Sequence, residues 1–257
     1  MTETKPQTLG WGRFLLQFFS VAILYVLVQV VAGVVVYATA LASGADVSNP
    51  AAVLSSTSNA VITALGMVAA LLLSWFWLKR DGAVGEAWKL GPVRGWGRTI
   101  LIAAATTIAI LGWFTLGSMT LSALGLGTPA VAEVLGMVTM SHFHYVLWIV
   151  LVAWFAAGFG EELLYRGFLM DRLQRVKGIG ATVWGPILIQ GAIFGLSHGY
   201  QSIAGVIITG VVGIGLGWLR TRTGTLLPLV FAHMAVDTFS MSMAYADKLG
   251  MIPAFST

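Results

Sequence analysis

A small group of ionisable residues stands in stretches of the sequence that are otherwise too apolar to tolerate them. A charge at the centre of a membrane helix costs about 2.5–3.5 kcal/mol, so such residues are candidates for function. Carboxylates and imidazoles exchange protons, and the group therefore indicates acid–base chemistry, either on a bound substrate or along a proton relay. Its members are Glu161, Glu162, Arg166, His198, His233 and Asp237.

Helical spacing divides this group by role. Glu162 and Arg166 are four residues apart in the favourable acid-first order, so they share a helix face and can neutralise each other. Glu161 is rotated by about 100° from Glu162 and is predicted to point elsewhere, free for chemistry. His233 and Asp237 are also four apart on one face. The spacing predicts a supporting ion pair beside one free carboxylate and a His–Asp face.

The elements that must position these residues are membrane helices. The chain has 257 residues, of which 58% are hydrophobic and 9% charged, with a mean hydropathy of +0.88. A soluble domain carries about 25% charged residues. In lipid, each backbone polar group must be satisfied within its own segment, which favours helices. The sequence therefore predicts a single all-α domain over 1–257, a polytopic membrane helical bundle of about seven (6–8) transmembrane helices. The predicted spans are 14–42, 59–78, 99–121, 145–169, 183–198, 202–219 and 226–246.

Basic residues orient this bundle. Lys5 and Arg13 precede the first span, and further clusters follow the second, fourth and sixth spans, whereas loops 43–58, 122–144 and 199–201 contain no Lys or Arg. This positive-inside pattern predicts a cytoplasmic N-terminus and an outside C-terminus. The expected location is a bacterial plasma membrane, in which the protein is multi-pass. The lipid bilayer accounts for the net charge of +4, and nucleic acid is not expected as a partner.

Two segments do not fit the predicted pattern of full-length membrane spans. The fifth span, 183–198, is short, and His198 reaches the depth of Glu161 and His233 only if its helix begins near Pro186. The turn 199–201 is then predicted to be buried in the bundle, where it lines a polar cavity. Residues 128–143 are predicted to form a surface helix.

Three motifs in these spans resemble those of a known family, the CPBP family of CAAX proteases and bacteriocin-processing enzymes. This family is also called ABI and is related to type II CAAX prenyl endopeptidases. The likeness covers residues 145–246, the predicted catalytic core, and the order and spacing of the motifs agree. They are Glu161-Glu162-x-x-x-Arg166, Phe194-x-x-x-His198 and His233-x-x-x-Asp237.

The resemblance implies an intramembrane endopeptidase that hydrolyses a membrane-associated peptide or protein. By that analogy Glu161 is the general base on a water held jointly with His198. The tetrahedral intermediate is stabilised by His233 and Asp237. Peptide hydrolysis needs both an activated water and donors aimed at the developing negative charge. The resemblance assigns supporting roles to Glu162, Arg166 and Phe194.

Asp237 departs from eukaryotic-type members of the family, which have Asn at this position. An ionised Asp cannot donate a hydrogen bond to an oxyanion. Asp237 could instead fix the tautomer of His233 and stabilise its imidazolium, or it could be kept protonated by burial.

Zinc is a second open point, because Glu161, His198 and His233 are residue types that bind it. The sequence has no HExxH motif, in which a glutamate beside zinc-ligating histidines serves as the base. One glutamate cannot easily be both ligand and base, which favours catalysis without a metal.

Two other functions fit a charge-bearing membrane bundle. A non-catalytic bacteriocin-immunity or secretion-partner protein of the same fold would act by binding, but the presence of every catalytic residue type favours an enzyme. A transporter would use the carboxylates as a proton relay, but it predicts paired broken helices in two related halves, and the sequence has no such repeat.

Overall fold

The computed structural model describes residues 8–49 and 53–252, which are mostly helical. Within those ranges there is no β-strand, only a single bridge between Leu9 and Val176. The predicted all-α fold is confirmed. Lys5, which contributed to the predicted orientation, lies outside the described residues.

In the described residues ten helical elements carry the fold, and three short turns, Val84–Ala87, Ile179–Ala181 and Gly199–Gln201, connect some of them. The elements are α1 (Trp11–Ala42), α2 (Ser56–Arg80), α3 (Trp96–Ala123), α4 (Ala132–Val138), α5 (His142–Trp148), a π-helix (Ile149–Leu169), α6 (Met170–Arg175), α7 (Trp184–Ser197), α8 (Ser202–Thr223) and α9 (Leu227–Lys248).

Six continuous helical segments of the described chain are long and apolar enough to cross a membrane. They include 142–175, which joins α5, the π-helix and α6, and 199–223, which adds a short turn to α8. The seventh apolar helix, α7, has only 14 residues, as the short fifth span predicted. The protein is an integral multi-pass membrane protein.

The segment that carries Glu161 and Glu162 differs from the predicted α-helix over 145–169. It begins at His142, and from Ile149 to Leu169 it is wound as a π-helix, whose hydrogen bonds run from i to i+5. Such winding places more residues in each turn, so neighbouring side chains are separated by less than the 100° of an α-helix. In this helix Glu162 Oε1 lies 2.9 Å from His233 Nδ1, and Glu161 Oε2 lies 3.9 Å from Nε2 of the same ring.

One end of the bundle is held by a network of ion pairs. Arg172 is fully buried and donates to Asp81 at the end of α2 and to Asp171 beside it. Asp81 also accepts from Arg13 near the start of α1, and Asp171 accepts from Arg175. The network therefore joins the basic ends of α1 and α6, which the sequence predicts to be cytoplasmic, at one face of the bundle.

Glycines bring α7 and α8 into close contact. A Cβ at Gly191 would lie 2.5 Å from the Ile214 side chain, and a Cβ at Gly195 would lie 2.6 Å from the Val206 carbonyl oxygen. Helices pack this closely in lipid where small residues let the two backbones approach. The pairing fixes the end of α7, where His198 follows, against the start of α8.

The turn after α7 is not buried, contrary to prediction. Gly199 is exposed, and Tyr200 has a relative exposure of 65%. At a rise of 1.5 Å per residue α7 is roughly 21 Å long, too short to span the membrane. The loop before α4 contacts this turn, because the Ala130 amide donates to the Gln201 carbonyl oxygen at 2.8 Å. The predicted surface helix is the two-turn α4, which buries Val138 and exposes Glu133.

Candidate active site

Glu162 is the most deeply buried carboxylate of the predicted site, with no exposed side-chain surface. Its Oε1 accepts hydrogen bonds from Arg166 Nη1 and from His233 Nδ1, both at 2.9 Å. The ion pair with Arg166 is present as the spacing predicted. A charge buried in a bundle is tolerated when it is paired and hydrogen-bonded, and Glu162 satisfies both conditions through Arg166.

The same carboxylate fixes the tautomer of His233. Glu162 Oε1 accepts from Arg166, so His233 Nδ1 is the donor in the second contact of that oxygen and carries the proton. This places His233 Nε2 towards two further carboxylates, with Glu161 Oε2 at 3.9 Å and Asp237 Oδ2 at 3.7 Å. Both distances exceed a hydrogen bond and suit a small molecule shared between the groups. Glu162, rather than Asp237, holds the Nδ1 side of the ring.

Glu161 stands in a different environment from its neighbour. Its side chain is 21% exposed, yet its Oε2 is buried and has no hydrogen-bond partner among the described residues. A carboxylate oxygen in this state lacks a donor that would stabilise charge on it. Glu162 Oε2 is likewise buried without a partner, but Glu162 Oε1 accepts two hydrogen bonds, whereas Glu161 accepts none from the described residues.

His198 lies at the C-terminal end of α7, and its own neighbour in the motif orients it. Its Nδ1 is 2.8 Å from the Phe194 carbonyl oxygen. A carbonyl only accepts, so Nδ1 is the protonated nitrogen and Nε2 keeps its lone pair. Across the described chain, no hydrogen bond or ion pair joins His198 directly to Glu161, His233 or Asp237.

Phe194 connects the three motifs by packing, which explains its place beside them. Its side chain is buried, and its ring centroid lies 4.7 Å from that of His198 and 6.3 Å from that of His233. The Arg166 guanidinium carbon lies 4.1 Å from the same ring, at a cation–π distance. Phe194 therefore separates the two histidines by a fixed spacing and covers the charged pair below them.

Trp88 belongs to the site's support although it stands far from it in sequence. Its Nε1 donates to the Leu163 carbonyl oxygen at 2.8 Å, one residue after Glu162. Its ring also packs on Gly167, where a Cβ would meet it at 2.6 Å. No periodic pattern in the sequence links Trp88 to the π-helix.

The three zinc candidates do not form a metal site as they stand. In the residues that the structure describes, no group of three or more His, Asp and Glu side chains is arranged to hold a metal ion. His198 and His233 each use Nδ1 for a protein contact, and Glu161 Oε2 lies 3.9 Å from His233 Nε2.

Residues 143–239 match a family model described as type II CAAX prenyl endopeptidase Rce1-like. Over this segment the chain is Rce1-like. The match confirms the family predicted from the three motifs, and every predicted site residue falls within it. No significant match to a curated protein or to a solved structure accompanies it. The Rce1-like segment runs from α5 into α9, whereas α1 to α3 lie outside it and contribute supporting contacts.

Proposed function

We propose that the protein is an intramembrane endopeptidase that hydrolyses a peptide bond in a membrane-associated peptide or protein. One observation carries the proposal: two adjacent carboxylates lie at opposite nitrogens of the same partly buried imidazole. Glu162 Oε1 is paired with Arg166 and His233, whereas neither oxygen of Glu161 accepts a hydrogen bond from the described residues. The similarity to CAAX prenyl endopeptidases supports the choice of a peptide bond as the reacting group.

Glu161 acts first, as the general base. Its Oε2 takes one proton from a water molecule. The lone pair of His198 Nε2 accepts a hydrogen bond from the other O–H of that water and so orients the water. The water oxygen forms a bond to the scissile carbonyl carbon, whose π electrons move to the carbonyl oxygen. A positioned general base contributes about 10²- to 10⁴-fold to such a rate.

His233 stabilises the oxyanion that results. We assign it the imidazolium state, in which Nδ1–H donates to Glu162 and Nε2–H donates to the oxyanion. An ionised Asp237 accepts but does not donate, so its role is to balance the imidazolium charge from 3.7 Å. A donor fixed before the reaction stabilises the developing charge without having to reorganise.

The tetrahedral intermediate then breaks down, and the proton that Glu161 took from water is transferred to the leaving group. Protonated Glu161 gives its proton to the amide nitrogen, the C–N bond breaks, and the carbonyl re-forms from the oxyanion. The products are a new amino terminus and a new carboxyl terminus, and the carboxylate of Glu161 is regenerated.

The test compares membrane-peptide profiles of cells that express wild-type protein, Glu161→Gln or Glu133→Gln at equal levels. Glu133 is exposed on α4 and serves as the matched control. Peptides with new termini should occur with wild type and Glu133→Gln and should be missing with Glu161→Gln. Identical profiles for all three would refute proteolysis and favour a non-catalytic binding protein of the same fold.

A further inference from the structure

The backbone of Ser202 adopts a conformation that belongs almost exclusively to glycine. Its φ is +79° and its ψ is 175°. Within the described chain, only Arg94 is another non-glycine residue with positive φ. A side chain held in this region stores strain and persists only when its surroundings impose it, and such strain concentrates at functional sites.

Two hydrogen bonds to one segment impose the conformation. Ser202 Oγ donates to the Thr128 carbonyl oxygen at 3.1 Å, and the Ala130 amide donates to the Gln201 carbonyl oxygen at 2.8 Å. Residues 128–130 precede α4 and lie outside the Rce1-like segment. A loop from elsewhere in the chain thus holds the start of α8.

The strained residue is tied to His198 by a short chain of contacts. The Gln201 amide donates to the His198 carbonyl oxygen at 2.9 Å, and the His198 amide donates to Gly195. The Tyr200 ring stacks on the His198 ring with centroids 6.0 Å apart. Because α7 is locked against α8 by glycine contacts, a shift at Ser202 must be absorbed in the turn that carries His198.

We propose that Ser202 is a positioning residue for His198, and that its attachment to residues 128–130 sets where His198 Nε2 lies. The proposal rests on the proposed function, in which that nitrogen orients the attacking water. Glycine would adopt the same backbone conformation without strain, so the serine is explained by its hydroxyl, which fastens the turn.

Ser202→Gly separates positioning from structural support, because it relieves the strain and removes the fastening together. The melting temperature should equal or exceed that of wild type, since glycine tolerates positive φ. The kcat should fall roughly 10- to 100-fold with KM nearly unchanged, because small misplacements of a catalytic group cost that much. Removing a merely structural contact would lower stability and leave kcat alone.

The kinetic assay uses purified protein in detergent with an internally quenched, farnesylated peptide that ends in a C-a-a-X sequence. Ser43→Gly is the control, because Ser43 is exposed at the end of α1 and its hydroxyl contacts only the local helix carbonyl of Ala40. This control should keep the wild-type kcat. A wild-type kcat in Ser202→Gly would overturn the proposal.

A second readout does not depend on activity. In protein labelled with ¹⁵N-histidine, the His198 signal, assigned by its loss in His198→Gln, should show protonated Nδ1 in wild type and mixed tautomers in Ser202→Gly. An unchanged His198 signal would overturn the positioning role whatever kcat does. If wild type fails to cleave the peptide while the signal still changes, Ser202 still positions the His198 ring, and the failure concerns cleavage of this peptide alone; the membrane-peptide profiles above then test the proposed function separately.

Discussion

The neighbouring glutamates allow the same substitution to be made at two adjacent positions with very different expected effects on stability. Glu162 is fully buried and accepts from Arg166 and His233, each at 2.9 Å. Glu161 Oε2 is buried without a partner among the described residues. Glutamine has nearly the same shape as glutamate, so each change removes charge and leaves packing in place.

The magnitudes follow from these contacts. Breaking a buried ion pair by removing one partner costs about 3–5 kcal/mol. The carboxamide oxygen introduced by Glu162→Gln can still accept one hydrogen bond, so we expect this variant to lose about 3 kcal/mol, near the lower limit of that range. Glu161→Gln breaks no hydrogen bond to a described residue and removes only the 3.9 Å contact with His233 from a side chain that is 21% exposed, so stability should stay within about 0.5 kcal/mol of wild type.

Thermal unfolding in detergent micelles, followed by the fluorescence of the ten tryptophans, measures the difference without labelling. In a protein of this size 1 kcal/mol shifts the melting temperature by about 2–4 °C, so Glu162→Gln should melt about 6–12 °C below wild type. The double variant Glu162→Gln/Arg166→Met should recover most of the loss, because it removes the buried charge that Glu162→Gln leaves unpaired on Arg166. Equal melting temperatures for the two single variants, or a larger loss for Glu161→Gln, would refute the assignment of structural and chemical roles.

Further predictions concern packing and metal dependence. Gly158→Ala should destabilise the protein by about 1–3 kcal/mol in thermal unfolding, because a Cβ there would lie 2.4 Å from the side chain of Met234, which is next to His233. Gly33→Ala is the control and should be neutral, because open space surrounds Gly33. Equal melting temperatures for the two variants would contradict the packing at Gly158. Phe194→Leu should lower kcat beyond what its effect on the melting temperature explains, because it loosens the spacing of His198 and His233. An unchanged kcat would show that the Phe194 ring does not position the two histidines. A strong zinc chelator should leave the rate of peptide cleavage unchanged, and a loss restored by zinc would establish a metal-dependent reaction instead.

Hydropathy and charge spacing predicted much of the structure because their causes are local. An apolar run long enough to cross the bilayer must be helical, whichever helices it later contacts. The pair Glu162–Arg166 was predictable for a related reason, since an isolated charge in such a run needs a partner within reach on its own helix. The short fifth span followed from counting residues, and α7 has the expected length.

The features that the sequence did not reveal depend on hydrogen-bond register and distant contacts. The π-winding of Ile149–Leu169 leaves no mark in hydropathy, yet it brings Glu161 and Glu162 to one histidine. Trp88 reaches the π-helix from 75 residues away, and the conformation of Ser202 is imposed by residues 128–130. Neither contact follows from a periodic pattern.

The most direct test of the proposed mechanism is the initial rate at which purified Glu161→Gln cleaves the quenched peptide, compared with wild type and with Glu133→Gln. Loss of a general base should lower the rate about 10²- to 10⁴-fold while the protein stays folded, and Glu133→Gln should match wild type. A Glu161→Gln enzyme that keeps a rate within about tenfold of wild type would contradict the assignment of Glu161 as the base.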